Sequence, residues 1–144
     1  MASFAFEGAE PYAQMLQKLA DSYDDTCEKM LAKAVGIVAR KLRAAGSRFA
    51  RYIKAGKPRK NQYGWFAQVK FSGRTRSGEP AARAANIYEY GREAGVYLTR
   101  KGNPKRYPAQ APRPFIRPTA KAAEPEVAAA MQQVYDAEAE RIMG

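Results

Sequence analysis

Apolar positions recur along this chain with two periods, and the change between them separates helical ends from a strand-bearing middle. Tyr12, Met15, Leu16 and Leu19 follow a Glu-Pro start at the spacing of a short amphipathic helix over residues 11–20. A second, longer helix is expected from Asp24 or Asp25, because Asp25 with Glu28 resembles a capping box in which Asp replaces Ser or Thr. Its apolar stripe is Cys27, Met30, Leu31, Ala34, Val35, Val38 and Leu42, and a stripe of that kind must face a core. Gly46, Gly56 and Pro58 end or fray the helix before a loop at 57–62, since glycine is a poor helix former and proline lacks a backbone donor.

Beyond that loop the period falls to two. Trp65, Ala67, Val69 and Phe71 alternate with Phe66, Gln68, Lys70 and Ser72 between Gly64 and Gly73, which predicts a half-buried strand over 65–71. Residues 84–90, with Ile87, Tyr88 and Tyr90 ahead of Gly91, are expected as a second strand. Two strands alone are marginal, and 96–99 is the candidate third. The Gly-, Pro- and Arg/Lys-rich stretches on either side read as loops, flexible near 73–82 and 92–112. Val127, Met131, Val134, Tyr135 and Ile142 return to helical spacing, with Pro125 suited to a first turn. The expectation is an α+β fold over 1–144 as one domain: N-terminal helices, one of them long, a small mainly antiparallel β-sheet and a C-terminal helix.

Composition fits that picture and adds a charge. A chain of 144 residues with 46% hydrophobic residues can bury one core. Lys and Arg number 25 against 14 Asp and Glu, a net +11 that favours phosphate or acidic protein surface. The side of the long helix opposite its stripe carries Lys29, Lys33, Arg40, Lys41 and Arg43. The basic run then continues through Arg48, Arg51, Lys54, Lys57, Arg59 and Lys60, with no acid between Glu28 and Glu79. Three readings stay open for it: a solvated face, a surface for an acidic protein, or a nucleic-acid surface on which Tyr52, Tyr63 and Trp65 could stack on bases. Arg51, Lys54, Arg59 and Lys60 are the candidate interface. A single cysteine, Cys27, forbids an intramolecular disulfide and suits a chain made in the cytosol. The start MASFAFEGAE has no signal-peptide pattern, and no stretch approaches the ~18 apolar residues of a membrane span.

The chain has no histidine, so Ser-His and Cys-His mechanisms are excluded, and one cysteine cannot build a structural zinc site. Cys27 lies on the apolar stripe and reads as core packing. Asp24 and Asp25 read as helix capping rather than an acid–base pair. Gly56-Lys57 lacks the glycine spacing and the following Ser/Thr of a phosphate loop. No catalytic, cofactor-binding or metal residue is assigned, and an enzyme is not expected.

Two blocks carry a resemblance: Ala85-Asn86-Ile87-Tyr88-Glu89-Tyr90-Gly91, and Pro114-Phe115-Ile116-Arg117-Pro118-Thr119-Ala120 after a loop. In this order they resemble the tailed-bacteriophage neck family of head-tail joining, tail-completion or tail-component proteins. That family places a strand of the form Ala-x-aromatic-x-Glu-x-Gly before a variable loop, then Pro-Phe-Leu/Ile-Arg-Pro-Ala and a terminal helix. Phe4-Ala5-Phe6-Glu7-Gly8 is similar to the family's opening strand. Lys57-Pro58-Arg59-Lys60-Asn61-Gln62-Tyr63-Gly64 departs from the Pro-x-Asp-Thr-Gly block of many relatives. The resemblance implies a structural virion protein of the neck, made in the host cytoplasm. Its subunits would form a homo-oligomeric ring with connector or head-closure proteins and tail proteins, could be monomeric in solution, and would lie near DNA without specific binding. The competing class is a basic nucleic-acid-binding module.

Tyr88, Glu89, Gly91, Pro114, Phe115, Arg117 and Pro118 are then architectural. Gly91 is expected to end a strand at a turn. The prolines push the residues before them extended and deliver Phe115 into the core, leaving Arg59 and Lys60 exposed. Glu89 pairs with Arg113 or Arg117, or is a plain exposed strand carboxylate.

Overall fold

A computed structural model describes residues 9–144 of the protein, and the segment Phe4 to Gly8 expected as an opening strand lies outside the described residues. Helix α1 (Ala9–Asp21) and helix α2 (Tyr23–Ala45) are separated by Ser22 alone. Ser22 keeps near-helical backbone angles (φ −89°, ψ −2°), and its hydroxyl donates back to the Leu19 carbonyl at 3.1 Å instead of capping α2. The expected Asp25–Glu28 capping box does not form. The helix already runs through that point, with the Thr26 N–H bonded to the Ser22 carbonyl at 2.9 Å. Ala34, Val35, Ala39 and Leu42 are the buried stripe of α2, flanked by half-buried Cys27, Met30, Leu31 and Val38.

The terminal helix α4 (Ile116–Met143) lies antiparallel along α2, a direction fixed by ion pairs from Lys29 to Glu138 and from Arg40 and Lys41 to Glu126. It begins well before Pro125, which is not a first-turn residue but sits exposed inside the helix. Pro118 holds the first-turn position instead, where a missing N–H leaves no helical bond unmade.

The strand region differs most from expectation. Strand β1 (Ile53–Ala55) pairs antiparallel with β4 (Val69–Phe71), and β2 (Arg59–Asn61) with β3 (Gly64–Phe66). The expected strand over 65–71 is therefore two short strands, and the expected loop at 57–62 is one arm of a hairpin. The break follows from register: Gly56, Lys57 and Pro58 stand opposite only Ala67 and Gln68, a bulge-like insertion at a proline that cannot donate to a ladder. A third ladder joins β5 (Gly95–Leu98) to β6 (Pro104–Tyr107), so part of the 92–112 stretch forms a separate hairpin. The backbone of 73–82 is folded by Thr75 N–H to the Glu79 carbonyl, Gly78 N–H to the Thr75 carbonyl and Ala81 N–H to the Gly73 carbonyl, at 2.9 to 3.0 Å.

Residues 84–90 are not a strand. They belong to helix α3 (Ala81–Tyr90), whose buried residues Ala81, Ala85 and Glu89 recur every four positions. Ala81, Ala82, Ala84 and Ala85 give this segment a helix preference that outweighs the strand propensity of Ile87, Tyr88 and Tyr90. The fold is α+β, and among the described residues the strands form three two-stranded antiparallel ladders.

The core gathers where α2, α3 and the start of α4 meet: Ala39, Leu42, Phe49, Ile53, Ala85 and Phe115. Phe49, in a 3-10 helix (Ser47–Tyr52), stacks on Phe115 with ring centres 5.7 Å apart, while Phe71 and Tyr88 meet Phe115 edge-on. Gly46 is required by this packing, because a Cβ there would overlap the Phe115 ring. No helix among the described residues is long and apolar enough to cross a membrane.

Candidate functional site

The two sequence blocks meet at a joint between α3 and α4. Glu89, on the last turn of α3, is fully buried, and its carboxylate faces the start of α4. One oxygen accepts the Phe115 and Ile116 N–H groups at 2.6 and 2.8 Å; the other accepts the Arg117 N–H at 3.0 Å and the Arg117 Nε at 3.4 Å. These N–H groups have no intrahelical acceptor, and they carry the positive end of the helix dipole, so Glu89 caps α4 from another element. Burial pushes its carboxyl pKa up, but the backbone donors and Arg117 outweigh burial and hold it below the ordinary glutamate value. Glu89 is thus neither an exposed carboxylate nor a partner of Arg113. Arg113 instead donates its N–H to the Tyr88 carbonyl at 2.8 Å.

The other motif residues complete the joint. Gly91 ends a helix rather than a strand: at φ +74° its N–H bonds the Ile87 carbonyl at 2.7 Å. A Cβ on Gly91 would lie 2.6 Å from the Gln110 carbonyl oxygen and 2.8 Å from Pro112 N, so only glycine lets the 110–112 segment pass so close. Phe115, preceded by Pro114, is 7% exposed, as the sequence leads one to expect. Arg117 is helical rather than extended, since the Glu89 cap has already started α4 before Pro118 takes effect. The Arg117 guanidinium lies 4.8 Å from the Tyr90 ring centre.

The candidate basic interface is dispersed. Arg51 is in the 3-10 helix, Lys54 on β1, and Arg59 and Lys60 on β2; all four are exposed. Lys60 bonds Asp24 at 3.2 Å, and Asp24 also accepts the Trp65 indole N–H at 2.9 Å. The Trp65 and Lys60 hydrogen bonds lower the Asp24 carboxyl pKa, and they tie the β2–β3 hairpin to the start of α2. Arg51 bonds the Tyr52 hydroxyl at 2.8 Å and covers its ring. On α2 the basic side is largely engaged within the fold. Lys29 contacts Asp25 and Glu138, Arg40 and Lys41 contact Glu126, and Arg43 donates to the Ile53 carbonyl. Trp65 is half-buried and hydrogen-bonded, whereas Tyr63 is 88% exposed. Cys27 is half-buried, and its thiol group near Tyr23 raises the Tyr23 pKa.

Two depressions have no counterpart in the sequence reading. A polar cleft of about 350 Å³ takes Arg48 and Tyr52 from the 3-10 helix, Arg76 and Glu79 from the 73–80 turn, and Tyr88 and Arg92 from the end of α3 and just beyond. Only the uninterrupted basic run hints at it, because three separate segments must fold together to form it. An apolar groove of about 740 Å³ lies between the α1–α2 junction and the end of α4, lined by Leu19, Tyr23, Met30, Tyr135 and Ile142. Comparison with known protein families, curated proteins and solved structures finds no match.

Proposed function

We propose that this chain is a non-catalytic structural subunit of a tailed-bacteriophage neck, a head-tail joining or tail-completion protein. It assembles as a ring in the virion, with connector or head-closure proteins on one side and tail proteins on the other. Rings of this kind use head-to-tail contacts that close by rotation. The observation that carries the reading is the Glu89 joint. The two blocks behind the family resemblance are far apart in the chain, yet they touch through three backbone hydrogen bonds to one buried carboxylate. A shared structural job accounts for their occurring together. The exposed residues Arg51, Lys54, Arg59 and Lys60 supply basic surface for acidic neighbours in the neck, or for a passage that DNA crosses without sequence readout.

The test is location. A small epitope added at the C-terminus and labelled with gold should mark the head–tail junction of gradient-purified particles, with the chain present in those particles by mass spectrometry. Particles free of the chain, or label on intracellular DNA alone, would overturn the proposal in favour of the nucleic-acid-binding module.

A further inference from the structure

Three arginines from separate segments line the polar cleft: Arg48, Arg76 and Arg92. The ion pairs formed among the described residues use other cations: Lys29, Arg40, Lys41, Lys60, Arg83, Arg117 and Arg141. The carboxylate in the cleft wall, Glu79, is engaged by Arg83 at 3.6 Å. The cleft lining therefore holds three guanidinium groups to one carboxylate, with Arg92 Nε also donating to the Pro108 carbonyl at 3.3 Å, and an anionic ligand would offset the positive excess; guanidinium groups fit planar oxyanions by paired hydrogen bonds. The Thr75 and Ser77 hydroxyls and the Gln110 amide add neutral hydrogen-bonding groups around them.

The tyrosines in and beside the cleft indicate which anion it takes. A single-stranded nucleic-acid site offers open aromatic faces to bases. Here each ring already has a guanidinium against it: Arg48 lies 5.8 Å from the Tyr88 ring centre, Arg51 4.9 Å from Tyr52 and Arg92 4.7 Å from Tyr107. A recess of this size also admits a side chain or a peptide turn more readily than a duplex. We infer that this cleft is a docking site for an acidic peptide segment of a protein partner, with Asp or Glu carboxylates seated on Arg48, Arg76 and Arg92. The site is separate from the exposed basic residues of β1 and β2, and it does not depend on the neck reading.

The experiment is a fluorescence-anisotropy titration of the full chain at about 0.15 M salt. The probes are a labelled oligoglutamate peptide, an oligoglutamine control, a single-stranded oligonucleotide and a duplex. The peptide should bind saturably and the glutamine control should not. Arg48→Gln combined with Arg76→Gln should weaken peptide binding by about tenfold or more. Lys54→Gln combined with Arg59→Gln should change it by less than about twofold. Because Arg48 packs on Tyr88, the exposed Arg76→Gln alone is the second variant, with a several-fold loss and an unchanged Tm expected. Nε signals of Arg48, Arg76 and Arg92 should move during an NMR titration with the peptide. No saturable peptide binding, equal losses from both variant pairs, or shifts confined to other arginines would each overturn the inference. So would an oligonucleotide that binds more tightly than the peptide through the same arginines.

Discussion

Glu89 is tolerated as a buried carboxylate because its charge is matched by the donors at the start of α4. Glu89→Ala leaves three N–H groups at the start of α4 without their acceptor, and at a cost of about 1 to 3 kcal/mol for each buried unsatisfied group, urea unfolding should show a loss of about 3 kcal/mol or more. Glu89→Gln keeps an acceptor but loses the charge and should cost less. The sign of the pH dependence follows from the direction of the shift. The folded carboxyl lies below the ordinary value of 4.5, so its stabilisation is complete above that value and is lost as pH falls through the depressed folded value. The stability gap between the native protein and Glu89→Gln should stay constant from neutral pH to about 5 and narrow below that. A gap that widens in acid would contradict the assignment. Phe115 supports the same joint from the apolar side. Phe115→Ala should cost about 3 to 5 kcal/mol in a denaturant melt, because Phe49, Phe71 and Tyr88 all lose a ring partner. A cost under about 1 kcal/mol would mean that the ring is not a core anchor.

Among the elements, α4 makes the least expected prediction. Pro125 is exposed inside it and removes one backbone bond, so Pro125→Ala should raise the Tm, with a gain of up to about 3 kcal/mol if the helix straightens without loss of packing on α2. A lowered Tm would show that the proline shapes a bend the packing needs. The same helix shows what was legible in the sequence. Its apolar period was readable, but its start was not, because the cap comes from Glu89 on a different element and no local pattern announces it. Helices α1 and α2 were legible to within a few residues from their apolar period, although only the α2 stripe is buried and Tyr12 and Leu16 on α1 are exposed. Residues 84–90 misled because the tyrosines and Ile87 prefer strands, while burial of Ala81, Ala85 and Glu89 on one face favours a helix. Alternation over 65–71 predicts one continuous strand because it does not reveal the one-residue offset opposite Pro58. The seven motif residues come together at the α3–α4 joint, on a helix where the sequence predicts a strand. The arginine cleft was not legible, because its members come from three distant segments.

For the whole molecule, a charge of +11 must be separated into what the fold uses and what it presents. Ion pairs between α2 and α4 take up Lys29, Arg40 and Lys41, while Lys33, Arg48, Arg51, Lys54, Lys57 and Arg59 are exposed and stand outside the ion pairs formed among the described residues. Such a surface should bind free duplex only through counterion release, with a Kd of about 10⁻⁴ to 10⁻⁶ M at about 0.15 M salt and no sequence preference. A Kd near 10⁻⁸ M with discrimination between sequences lies in the range of dedicated binders and would replace the neck reading. The proposed joining of heads to tails can be seen by electron microscopy of a joining reaction. Particles produced without the chain should accumulate as filled heads and free tails, and adding the purified protein should join them. The variant with Arg51, Lys54 and Arg59 each replaced by Glu, which keeps the Lys60–Asp24 bond, should stay folded and fail to do so. Intact tailed particles formed in the complete absence of the chain would contradict the account.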